Sequence, residues 1–178
     1  MLELAIDDVE SKGKLPKERW WSLQRVLYYE KNDYNRVVEI LEKLVKHYPK
    51  WTFWKQLGGM YGEQERPLDQ LVASEVVYIN DKFDKENQVM GMGYMYLAAE
   101  VPYKAAQIIS KGINDGIIEK NAKNLEVLGT AWYQAKELNL ALSSLDRASQ
   151  YSDSGDLQAR MAGIYLDLGK DKQAYKAL

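Results

Sequence analysis

The chain contains no cysteine, which excludes disulfides, thiol nucleophiles and cysteine-ligated metal centres. It has one histidine, His47, too few for a histidine-rich metal site and of little use to a Ser-His-Asp triad without converging partners. No stretch approaches the roughly 18 apolar residues that span a bilayer. The opening MLELAIDDVE is acidic and amphipathic and does not read as a secretory leader. Phenylalanine is scarce, with two residues against thirteen Tyr and five Trp. Those amphipathic rings suit a surface that is packed on one side and wet on the other. The net charge is only −2, but residues 12–55 hold eleven Lys and Arg against five Asp and Glu. That excess lacks the concentrated stripe of a nucleic-acid binder. It reads as solvated helix faces or, alternatively, as a landing surface for an acidic partner.

What the chain does have is a repeat. In RWWSLQRVLYYEKNDYNRVVEILEKLVKHYP, apolar residues recur at helical spacing from Trp21 to Tyr28, KND interrupts, a second amphipathic run covers Val37 to Val45, and Pro49 closes the unit. The layout returns in WKQLGGMYGEQERPLDQLVASEVVY, MGMGYMYLAAEVPYKAAQIISKGI, LEVLGTAWYQAKELNLALSSLDRA and QARMAGIYLDLGKDKQAYKAL. These phrases resemble the tetratricopeptide repeat (TPR), a unit of about 34 residues forming two antiparallel helices, A and B. The family pattern has a large residue at position 4, Leu at 7, a small residue at 8, an aromatic at 11, Ala at 20 and a large apolar at 24. Anchored on Tyr28, Tyr61, Tyr96, Trp132 and Tyr165 at position 11, the repeats start near 18, 51, 86, 122 and 155.

Position 8 is then Arg25, Gly58, Gly93, Gly129 and Ala162; position 20 is Val37, Gln70, Ala105, Ala141 and Ala174. Arg25 departs from the small residue expected. Gln70 and Ser74, at positions 20 and 24, suggest that the second helix of repeat two is shifted by about a residue. Pro67 and Pro102 fall in the first turn of helix B, where a missing N–H costs nothing, and Glu65 and Glu100 precede them. The resemblance implies an all-α, right-handed superhelical solenoid of antiparallel helix pairs, forming a single domain over residues 1–178. Residues 2–13 read as the second helix of a truncated preceding repeat. Because a solenoid needs polar caps, the chain is expected to be a fragment of a longer protein.

No catalytic constellation emerges. Gly58, Gly59 and Gly62 lack the preceding strand and the following Lys-Ser/Thr of a phosphate loop. Asp7 and Asp8 lie on a polar helix face without a partner across a cleft. The segment SDSGD lacks the spacing and terminal Glu of a calcium loop and reads as a turn, with Ser152 or Ser154 capping the next helix. The expectation is a protein that is not an enzyme, with no cofactor, no metal, no nucleic acid and no membrane insertion.

The family resemblance implies binding in a concave groove lined by helix A. Carried onto this chain, that groove comprises Arg19, Tyr29, Lys55, Gly59, Gly62, Met90, Tyr94, Leu97, Glu126, Thr130 and Tyr133. Lys55 is followed by Gly59 and not by Asn, so the family's known clamp for a C-terminal carboxylate is not expected. The surface is instead aromatic and mixed, suited to a peptide with apolar anchors. Its rings serve either as such anchors or as packing against a neighbouring repeat. Gly59 and Gly62 are expected to leave a gap in the wall, with Tyr29 and Tyr94 on either side and Lys55 nearby.

Finer phrases narrow the resemblance. LVKHYPKWTFWKQLGGMYGE, VPYKAAQIISKGINDGIIEKNAKNLEVLGTAW and SDSGDLQARMAGIYLDLGK together resemble the periplasmic TPR protein associated with TonB energy-transduction systems, over roughly residues 20–175. That resemblance implies a periplasmic scaffold, its signal peptide absent from this fragment, that binds TonB, ExbB or ExbD components in iron transport. The alternatives are a general TPR scaffold in envelope assembly or secretion, and a cytoplasmic location.

Overall fold

The computed structural model describes residues 1–152 and 155–177, and every regular element among them is helical. The helices are α1 (Leu2–Ser11), α2 (Glu18–Glu30), α3 (Tyr34–His47), α4 (Trp51–Glu63), α5 (Pro67–Ile79), α6 (Glu86–Ala98), α7 (Pro102–Asn114), α8 (Ala122–Gln134), α9 (Leu138–Ser149), α10 (Gly155–Asp167) and α11 (Asp171–Ala177). Ser154, an expected cap of α10, and Leu178 lie outside the described residues. The chain divides into two units, Met1–Lys82 with α1 to α5 and Phe83–Leu178 with α6 to α11. Within each unit every helix packs on the next in sequence. This is the antiparallel pairing of a TPR solenoid.

The register of the pairs is uniform. Each second helix starts sixteen residues after its partner: Tyr34 after Glu18, Pro67 after Trp51, Pro102 after Glu86, Leu138 after Ala122 and Asp171 after Gly155. The shift expected for repeat two is therefore corrected. A Cβ on Gly58 would meet Ser74 Oγ at 3.5 Å and the Gln70 carbonyl at 3.8 Å. Gly93 faces Ile109 and the Ala105 carbonyl in the same way, and Gly129 faces Leu145 and the Ala141 carbonyl. Gln70 keeps the common register because Gly62, one turn beyond Gly58, leaves room for its side chain: a Cβ there would lie 2.8 Å from Gln70 Nε2.

One turn geometry closes the A helix of all five pairs. Asn32, Glu65, Glu100, Lys136 and Gly169 each adopt a left-handed backbone, with φ of 58°, 55°, 59°, 64° and 67°. The following N–H donates back to the carbonyl of the aromatic anchor: Asp33 to Tyr28, Arg66 to Tyr61, Val101 to Tyr96, Glu137 to Trp132 and Lys170 to Tyr165, at 2.8–3.0 Å. That is the Schellman closure, which satisfies carbonyls a helix end would otherwise leave orphaned. Glu65 and Glu100 thus occupy strained positions, since a side chain in this region costs about 1–2 kcal/mol. Against that, glycine costs the unfolded chain more entropy. Glu100→Gly is therefore expected to stabilise the fold by about 0.5–1 kcal/mol and Gly169→Ala to destabilise it by about 1 kcal/mol. Thermal melting checks both, because about 1 kcal/mol moves the midpoint by about 2–4 °C at this chain length.

The core follows from the pattern. In the first unit it gathers Ile6, Trp21, Leu41, Leu44, Leu57 and Val77, all at most 2% exposed. In the second, Met92, Ile109, Leu125, Leu128, Leu145 and Leu157 do the same. His47 ends α3 with its ring 5.6 Å from that of Trp21. Tyr61 is buried with its hydroxyl donating to Glu42 at 2.8 Å. Burial, then the Glu42 carboxylate, pushes the Tyr61 hydroxyl up to about 12.

Candidate binding slots on the A helices

In the first unit, α2, α3 and α4 enclose a slot of about 380 Å³ lined by Arg25, Tyr29, Tyr34, Val37, Leu41, Gln56, Gly59, Met60 and Glu63. Tyr29 is 54% exposed, and its ring is tilted against that of Tyr34 at a centroid distance of 5.8 Å. The Tyr34 hydroxyl donates to Asn32 Oδ1 at 3.0 Å, which fixes that wall. A Cβ on Gly59 would meet nothing within 4 Å, so the α4 side of the slot is open backbone. Arg25 sits within this slot, half-buried. Its Nε is buried without a hydrogen-bond partner among the described residues, and burial pulls its pKa below the usual arginine value.

In the second unit, α8 and α10 form a slot of about 220 Å³ lined by Tyr133, Arg160, Gly163 and Ile164. Arg160 Nη2 donates to Thr130 Oγ1 at 2.6 Å, and Nη1 lies 3.6 Å from Glu126 Oε2. The Tyr133 hydroxyl donates to Asp167 Oδ2 at 2.9 Å, which raises the Tyr133 pKa. Gly163, like Gly59, has open space where a Cβ would sit. The two slots repeat one device: a tyrosine at the penultimate residue of an A helix, and a glycine followed four residues later by an acid on the next A helix. Tyr29, Gly59 and Glu63 supply it in one unit, Tyr133, Gly163 and Asp167 in the other.

The structure treats the expected groove residues unevenly. It brings Tyr29 and Gly59 to one slot, and places Glu126, Thr130 and Tyr133 along a single face of α8. Arg19 is exposed on α2 and Tyr94 is 45% exposed on α6, where Leu97 is half-buried. Lys55 turns to its own helix, its Nζ 4.8 Å from the centre of the Trp51 ring. Two expectations are corrected. Met90 is only 6% exposed and belongs to the core of the second unit, because its place on α6 faces inward. Gly62 is no gap, since the Gln70 side chain fills the space beside it. Arg25, Tyr34, Gln56 and Arg160 were not among the expected residues. Arg25 was visible only as a departure at a position that calls for a small residue.

Among the described residues, no three His, Cys, Asp or Glu side chains gather as a metal site, and no helix is long and apolar enough to cross a membrane.

No protein family and no curated protein matches the chain by sequence. Solved structures do match in shape. YrrB, described as a TPR protein with an unusual peptide-binding site, superposes with a TM-score of 0.62 at 13% identity, over 99% of this chain and 88% of its own. MamA AMB-1 gives 0.61 at 16% identity, over 90% and 87%. MamA 41-end from Desulfovibrio magneticus RS-1 gives 0.56 at 10% identity, over 90% of both chains. At such identities the likeness is one of fold: the chain is built as a TPR protein is built.

Proposed function

We propose that this chain is a non-catalytic scaffold that binds a partner peptide or protein on its A helices, and that it serves in the periplasm as an accessory of a TonB-dependent transport system. The observation that carries the binding reading is the slot beside Gly59. There an exposed tyrosine, a half-buried arginine and bare helical backbone converge, and no element of the unit fills the space. Rigid aromatic and arginine groups around a pocket are the composition of interface hot spots. YrrB, a TPR protein with a peptide-binding site and a similar fold, supports this reading. The TonB assignment is supported by the phrases around Leu44–Glu63, Val101–Trp132 and Ser152–Lys170.

The test is co-purification of the full-length protein from Gram-negative envelope fractions, alongside Gly59→Leu, whose side chain would occupy the slot. Recovery of TonB, ExbB or ExbD with the unaltered protein, and its loss with a folded Gly59→Leu protein, is the expected result. Recovery of outer-membrane assembly or cell-wall factors alone would replace the TonB role with a general envelope scaffold.

A further inference from the structure

The second slot shows how this chain satisfies an arginine on its A helices. Arg160 receives a carboxylate from Glu126 and a hydroxyl from Thr130, both one repeat earlier on α8. The first slot has no such arrangement. Arg25 stands at a different repeat position, on α2 itself; the residue of this slot that corresponds to Arg160 is Gln56 of α4. Arg25 forms no ion pair among the described residues, and its Nε is enclosed without an acceptor. A buried donor left unsatisfied is costly, and more so when it carries charge. Glu63 lines the same cavity but is exposed and forms no ion pair with Arg25.

We infer that the Arg25 slot is a receptor for a single acidic side chain of the partner, an Asp or Glu carboxylate that enters beside Gly59 and is held by the Arg25 guanidinium. The inference rests on the scaffold reading and names the chemistry of the partner. A guanidinium matches a carboxylate with two parallel hydrogen bonds. Gln56 offers an amide donor from α4, and the Tyr29 and Tyr34 rings offer an apolar wall for the methylenes that carry the acid. The single guanidinium of the cavity balances the charge of one carboxylate, with Glu63 at the rim opposing it. A phosphate, with a charge near −2, is bound by clusters of cations, and Arg25 is the only Lys or Arg among the described residues that line this cavity. Gly59 admits the partner's backbone closely because no side chain stands in the way.

The experiment uses the full chain and a displayed library of random twelve-residue peptides as the probe. Peptides selected by the unaltered protein are expected to carry Asp or Glu at a constant distance from an apolar residue. Exchanging that acid for its amide is expected to weaken binding about thirtyfold or more, as for truncating one partner of a buried charge pair. Arg25→Gln should produce the same loss and add nothing once the peptide acid is an amide, the signature of a direct pair. Glu63→Gln should strengthen binding by removing a like charge. The amide peptides keep the test decisive even if Arg25→Gln fails to fold. Selected peptides without acids, affinities indifferent to the acid-to-amide exchange, or tighter binding of phosphoserine than of glutamate at that position would each overturn the inference and leave the scaffold reading standing. Selection of no peptide at all would overturn both.

Discussion

Trp21→Ala is expected to destabilise the protein by about 3–5 kcal/mol, the range for deleting a large aromatic from a packed core. Trp21 is 2% exposed and stands among the largest fully buried side chains. Its ring meets that of Tyr48 edge-on at 6.1 Å and that of His47 at 5.6 Å, and Lys43 Nζ lies 5.7 Å from it. Each such aromatic contact adds about 0.5–1.5 kcal/mol beyond area burial. Three helices converge here, because α1 rests on α2 and α2 on α3, so collapse into the vacated volume is limited. The loss is large against a total stability of about 5–15 kcal/mol. Trp21→Phe is expected to cost far less than its volume alone suggests. The Trp21 Nε1 is buried without a hydrogen-bond partner among the described residues, so the substitution also removes an unsatisfied donor. Urea unfolding of both variants checks this, and a change below about 1 kcal/mol for Trp21→Ala would refute the packing account.

Leu145→Ala is the second large effect, about 2–5 kcal/mol of destabilisation. Leu145 is 0% exposed and lies against Gly129, where an added Cβ would sit 2.8 Å from its Cδ2 and 2.9 Å from its Cγ. Gly129→Ala alone combines overpacking, about 1–3 kcal/mol unfavourable, with a helix gain of about 1 kcal/mol. Together the two changes should partly cancel. The methyl added by Gly129→Ala enters the space that Leu145→Ala vacates, and the helix gain is retained. The double variant is expected to be more stable than Leu145→Ala by about 1 kcal/mol or more. A double-mutant cycle by chemical denaturation measures the coupling. Strict additivity would show that α8 and α9 do not pack through this pair.

These two predictions mark where sequence and tertiary structure divide the explanation. Helix pairing was legible because its cause is local: apolar residues at helical spacing, prolines that open α5 and α7, and small residues where two helices approach. Gly93 and Gly129 could be read as packing residues because each recurs at the same offset from an aromatic anchor. The left-handed turns were not legible at Glu65, Glu100 and Lys136, since nothing in those residue types favours that backbone. They are held there by the closure onto the anchor carbonyl. Gln70 likewise looked like a slipped register, and only its contact with Gly62 shows that a long side chain fits the ordinary one.

The candidate slots required three dimensions altogether. Composition and repeat pattern by themselves determined an all-helical, paired chain without thiol chemistry, because periodicity and residue inventory act along the sequence. Only the tertiary structure decided which groove positions face inward, as Met90 does, and which meet across helices, as Thr130 and Arg160 do. It alone decided that Arg25, a misfit in the repeat, is half-buried beside open backbone at Gly59, because a charge acquires or lacks a partner only when distant segments are packed together.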